Sequence, residues 1–91
     1  MAVERNEVSR HEVLVFRSLA IDRWVTSRQV AETSGVAPRT ARAHLLKLVR
    51  LGVVDQAEVF PAHRYRLSEF AAKRNRGYTD RLDRAAEALE M

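Results

Sequence analysis

The sequence predicts an α+β fold that is mainly α: a three-helix core, a β-hairpin and a C-terminal helix. Three observations predict it. Helix-start signals at Ser9, Thr26 and Pro38 each precede apolar residues at three- and four-residue spacing. Gly35 and Gly52 follow the second and third of these stretches, where a helix stop belongs. From Val53 to Leu67 the pattern turns β-prone, with period two at Arg64-Tyr65-Arg66-Leu67. A single domain is expected over residues 1–91, with its core at 8–68 and a helical extension at 69–91.

The first helix starts at a capping box of Ser9 and Glu12, with Val8 and Val13 placed as a hydrophobic staple. Val13, Phe16, Leu19 and Ala20 form its buried stripe, which Leu14, Val15 and Ile21 widen, and its end is expected near Ile21-Asp22. Trp24-Val25 suits one small edge strand, with Trp24 sealing the core. Thr26 with Gln29, and Val25 with Val30, repeat the cap and staple, so the second helix covers about Ser27 to Thr33. Gly35 permits a left-handed turn, and Pro38 opens the third helix, where its missing N–H costs nothing.

In that third helix Ala41, His44, Leu45 and Leu48 share one side. Arg39, Ala43, Leu46, Lys47 and Arg50 share the other, with Thr40 and Arg42 at the margins. No carboxylate lies between Pro38 and Gly52, so the free face carries one sign of charge and suits a polyanion. Residues 53–59 and 64–67 then form the hairpin, with Phe60-Pro61-Ala62-His63 as its tip, Tyr65 and Leu67 facing the core, and Arg64 and Arg66 facing out. Ser68 and Glu69 open the last helix and Phe70 and Ala71 begin its apolar face. Tyr78, Leu82, Ala85 and Leu89 continue at the spacing of a coiled-coil seam. Gly77 interrupts this run, giving either one bent helix or two short ones, the latter with Thr79 as a cap.

Composition narrows the function. A chain of 91 residues buries about 60–65% of its unfolded surface, so its core is thin and a partner adds stability. A hydrophobic fraction of 46% and a charged fraction of 31% describe an ordinary globular chain, not a disordered one. The absence of cysteine excludes a disulfide framework and a thiolate metal site. No apolar run reaches the ~18 residues of a membrane span, and the N-terminal MAVERNE is too polar for a signal peptide, so a cytoplasmic location is expected. The net charge of +4, with Arg at all basic positions but Lys47 and Lys73, favours a nucleic-acid partner. Ser9, Ser27 and Ser68 read as helix caps, His44 as a packed histidine, and His11, His44 and His63 lie far apart. With no phosphate loop, dinucleotide glycine pattern or metal motif, no enzyme, cofactor or metal is expected.

The order helix, short strand, helix, turn, helix, hairpin resembles the winged helix-turn-helix domain, in its MarR- and ArsR-like bacterial branch. The residues that carry the likeness are Ala31, Gly35, Val36 and Ala41, then His44, Leu45, Leu48, Gly52, Val53 and Val54, then Arg64 to Leu67. The resemblance implies that residues 38–51 are a recognition helix for the major groove and 59–64 a wing. Ala37 departs from the usual Ser or Thr cap, and Phe60, Pro61 and His63 replace a basic wing tip.

On this reading Pro38, Arg39, Thr40, Arg42 and Ala43 meet the groove, Lys47 and Arg50 anchor phosphates, and Arg64 and Arg66 contact backbone. Tyr78, Leu82, Ala85 and Leu89 are expected to join a homodimer. The expected function is sequence-specific binding of double-stranded DNA by a small transcriptional regulator, a repressor. The alternatives are a winged helix used for protein interaction within a larger assembly, or a plasmid or phage replication or DNA-organising factor.

Overall fold

Each of the three helix starts is built as read in the computed structural model, which describes residues 8–59 and 62–89. Helix α1 spans Arg10–Arg17; Ser9 Oγ accepts from the Glu12 N–H at 3.1 Å and Glu12 Oε1 accepts from the Ser9 N–H at 3.5 Å. It stops short of Ile21. The Ser18 hydroxyl donates to the Leu14 carbonyl at 2.9 Å, and the Ala20 carbonyl accepts from the Leu67 N–H at 3.1 Å, which draws the chain towards the hairpin. Leu19 stays in the core, but Ile21 is 53% exposed and does not widen the stripe.

Val25 and Tyr65 exchange backbone hydrogen bonds of 2.8 and 2.7 Å, so the expected edge strand is a single bridge. Helix α2, Ser27–Ser34, carries the Thr26–Gln29 capping box. Thr26 is therefore the cap and Ser27 the first helical residue, which corrects its reading as a cap. Gly35 follows at φ +77°, its N–H on the Ala31 carbonyl at 2.9 Å. Only a residue without Cβ adopts this geometry unstrained. Helix α3 then runs Pro38–Arg50 with no side-chain cap from Ala37.

Strands β1, Val54–Val59, and β2, Ala62–Leu67, pair antiparallel from Val54 opposite Leu67 to Val59 opposite Ala62. Ala62 and His63 thus belong to the strand and not to a loop tip. Phe60 and Pro61 lie outside the described residues. Since opposed residues share a face, Gln56, Glu58, His63 and the buried Tyr65 lie on one side of the hairpin, and Asp55, Ala57, Arg64 and Arg66 on the other.

The extension forms two helices, α4 Ala71–Arg74 and α5 Arg76–Leu89. The break falls at Asn75, whose Nδ2 donates to the Leu51 carbonyl at 3.3 Å, while Gly77 sits inside α5. Thr79 does not cap: its hydroxyl donates back to the carbonyls of Arg76 and Asn75 at 3.0 and 3.2 Å. Phe70 is 50% exposed, so the apolar face begins at Ala71.

Helix α5 packs against α1, and Tyr78 and Leu82 are buried in the chain's own core beside Val13, Val15, Leu45 and Leu48. This corrects their assignment to a dimer seam. Their spacing identifies a covered stripe, and α1 supplies the cover. Ala85 and Leu89 are only half-buried.

Candidate nucleic-acid interface

Helix α3 is sharply two-sided. Ala41, Leu45 and Leu48 are wholly buried, which fixes the helix against the core and turns the rest of its circumference outward. Pro38, Arg39, Arg42, Ala43, Lys47 and Arg50 are exposed, and Thr40 and Leu46 are half-buried. Among the described residues Arg39, Arg42 and Arg50 make no ion pair or hydrogen bond through their guanidinium groups. Three planar donors therefore stand free on one ridge, separated by about one or two helical turns.

Two of the other cations assigned to DNA are engaged within the chain. Lys47 Nζ lies 3.2 Å from Glu12 Oε2, with the lysine side chain 47% exposed and the glutamate 4%. The contact is an ion pair and not a well-directed hydrogen bond, since its angle leaves that oxygen without a formal donor. The acid absent from the α3 sequence thus arrives from α1. Lys47 also stands 5.9 Å from the centre of the Tyr78 ring.

On the far face of the hairpin, Arg66 stacks 4.4 Å from the Trp24 ring and its Nε lies 4.0 Å from Asp55. Asp55 also meets Arg74 at 3.4 Å, and Arg74 lies 5.7 Å from the Phe70 ring. Trp24 is therefore an exposed platform for Arg66 and does not seal the core. Arg64 is half-buried on this same face.

His44 of α3 is half-buried, within electrostatic reach of Glu12, Lys47 and His11. Burial holds its imidazole below the usual range, Lys47 and His11 push the same way, and Glu12 opposes them.

A cleft of about 290 Å³ separates α3 from the hairpin, lined by Ser27, Arg42, Ala62, His63 and Tyr65. The strand register brings His63 here: it shares the face of Tyr65, and Gln56 Nε2 lies 3.2 Å from its Nδ1. Ser27 and His63 were not foreseen as site residues. The alternation of β2 contained the signal for His63, but only once Tyr65 was known to face inward and the strand to begin at Ala62.

No helix among the described residues is long and apolar enough to cross a membrane. Those residues also contain no group of three or more His, Cys, Asp or Glu arranged to hold a metal ion.

Three helices followed by a two-stranded antiparallel hairpin, with the third helix turned outward, define a winged helix-turn-helix domain. No protein-family model and no curated protein matches the sequence. Solved structures do share the fold. NadR in complex with 4-hydroxyphenylacetate superposes at a TM-score of 0.63 with 14% identity, covering 97% of this chain. The chain spans 64% of that NadR chain, a little under two-thirds of its length. A DNA-binding protein from Sulfolobus solfataricus, Sso10a-2, matches at 0.63 with 16% identity over 91% of this chain and 83% of its own. A protein from the thermoacidophilic archaeon Sulfolobus tokodaii matches at 0.64 with 18% identity over the whole of both chains.

Proposed function

We propose that the protein is a small regulator that binds double-stranded DNA in a sequence-specific way, with α3 in the major groove, and represses by occupying its site. The observation that carries this reading is the exposure of Arg39, Arg42 and Arg50 without a partner among the described residues. A single-signed ridge on a helix about 10–12 Å across fits a groove about 12 Å wide. Arg39 and Thr40, nearest the helix start, are assigned to base edges, and Arg42, which lines the cleft towards the hairpin, to a phosphate; a bidentate arginine–guanine pair discriminates by about 1–3 kcal/mol. Arg50, further along, is assigned to phosphate, with Arg64 a flanking backbone contact. Lys47 and Arg66 contribute less, because each already holds an internal carboxylate. Occupancy requires no catalytic group, so the reading is of a binding protein and not an enzyme.

One solved structure of similar fold is that of a DNA-binding protein, which supports DNA as the ligand. We further assign the active form as a homodimer that sets two α3 helices about 34–36 Å apart along the duplex. Ala85 and Leu89, half-buried at the end of α5, are the residues left to join it. Leu89→Arg should lower the sedimentation mass to that of one chain; an unchanged mass refutes the pairing.

The direct test is selection of bound duplexes from a random pool, followed by titration of the winner and of scrambled duplex. Arg39→Ala should erase most of the difference between the two while leaving the fold intact. Equal discrimination by wild type and variant would defeat the assignment.

A further inference from the structure

We propose that the cleft between α3 and the hairpin seats a phosphodiester of the duplex backbone, and that His63 takes up a proton when the seat is filled. This inference rests on the DNA-binding reading and adds to it a residue and a pH dependence.

Arg42 lines the cleft from α3, Ser27 from the start of α2, and His63 and the buried Tyr65 from β2. Among the described residues neither the Arg42 guanidinium nor the Ser27 hydroxyl has a hydrogen-bond partner. A phosphodiester offers both of them acceptor oxygens. A duplex lying on α3 carries a backbone strand along each rim of its major groove, and the hairpin side of α3 is one such rim.

The groups facing His63 determine what the proton does. From β1, Glu58 lies directly opposite on the same face and Gln56 diagonally. From α3 comes Arg42, and from α2 only the neutral Ser27. Gln56 Nε2 at 3.2 Å donates to Nδ1 of the neutral ring, and the same amide, turned over, offers its oxygen to Nδ1–H of the charged ring. The amide therefore accommodates either state, and does not lock one as a carboxylate would. A phosphodiester seated between Arg42 and His63 adds a direct anionic acceptor beside the ring, so the charged ring is favoured in the complex.

The sign follows. Imidazole is the side chain whose charge changes between about pH 5 and 8. Duplex binding that stabilises the protonated ring is tight at the acid end and weakens as pH rises through the titration of the complex.

The experiment is a duplex titration of the whole chain at fixed salt from about pH 5.5 to about pH 8, the window in which imidazole titrates. Wild type should bind roughly tenfold tighter at the acid end, the order of one charge-assisted hydrogen bond. Its salt slope should be steeper there by about 0.9. His63→Gln should bind at the weak level throughout, His63→Lys at the tight level throughout, and both should be flat in pH. His11→Gln and His44→Gln should keep the wild-type dependence. If His63→Gln retains that dependence, or wild type binds duplex without any, the phosphate seat is overturned while the DNA reading stands. If wild type binds no duplex at any pH, the parent reading falls and this one with it.

Discussion

The outward face of α3 is led by arginines and the inward stripe of α5 by apolar side chains, and the chain handles the two differently. Along α5, Tyr78 and Leu82 are covered by other parts of the same chain, with α1 packed against their helix. Along α3, Arg39, Arg42 and Arg50 are covered by nothing among the described residues. An apolar stripe gains from any apolar surface, and a thin-cored domain supplies one at hand. A row of guanidinium groups gains only from anions, and the chain brings a single buried carboxylate, Glu12, to one lysine of that helix. What remains unpaired on α3 is the part directed outside the molecule.

The largest way to break this contrast is at Leu82, which is fully buried. Leu82→Ala should destabilise the fold by about 2–5 kcal/mol in urea denaturation, independently of protein concentration. A smaller loss that depends on concentration would place Leu82 in the dimer seam with Ala85 and Leu89.

Next comes the pair Lys47 and Arg50. Lys47→Ala leaves the Glu12 carboxylate buried without its cation, and should cost about 1–2 kcal/mol, less than a fully buried pair because the lysine is half-exposed. Arg50→Ala removes a solvated group and should change stability by under about 0.5 kcal/mol. Equal losses by thermal unfolding would erase the distinction between engaged and free cations on α3.

A third effect is read in pH. Burial, the largest cause, depresses the folded-state pKa of His44. As pH falls below about 6.5, the unfolded chain takes up a proton that folded His44 refuses until lower pH, so stability should decline across that interval. His44→Gln should flatten this part of the pH–stability curve; an unaltered curve would contradict the assignment.

The smallest effect belongs to Asp55. Its pairs with Arg66 and Arg74 are partly exposed, and Asp55→Ala should cost no more than about 1 kcal/mol by thermal unfolding. A larger loss would make the far face of the hairpin a structural brace.

Much of this was legible in the sequence because capping and periodicity are local. Ser9 with Glu12, Thr26 with Gln29, and Gly35 at a positive φ are built as the chain predicts. The two faces of α3 follow from spacing alone. What escaped depends on contacts between distant segments. Ile21 and Trp24 are apolar by type, yet the bridges of Ala20–Val25 to one another and to the hairpin turn them outward. The helix break falls at Asn75 because its side chain ties to Leu51, a partner that no local pattern names. Lys47 looked free because Glu12 lies in another helix, and His63 looked like loop because strand pairing decides where β2 begins. Periodicity groups residues on a face; it does not say what meets that face.

The measurement that bears most directly on the open face of α3 is the slope of log Kobs against log salt for a selected duplex. Arg42→Ala and Arg50→Ala should each reduce it by about 0.9, and the double variant by about twice that, while melting temperatures stay at the wild-type value. A double variant with the wild-type slope would show that the duplex, if bound at all, lies elsewhere on the molecule.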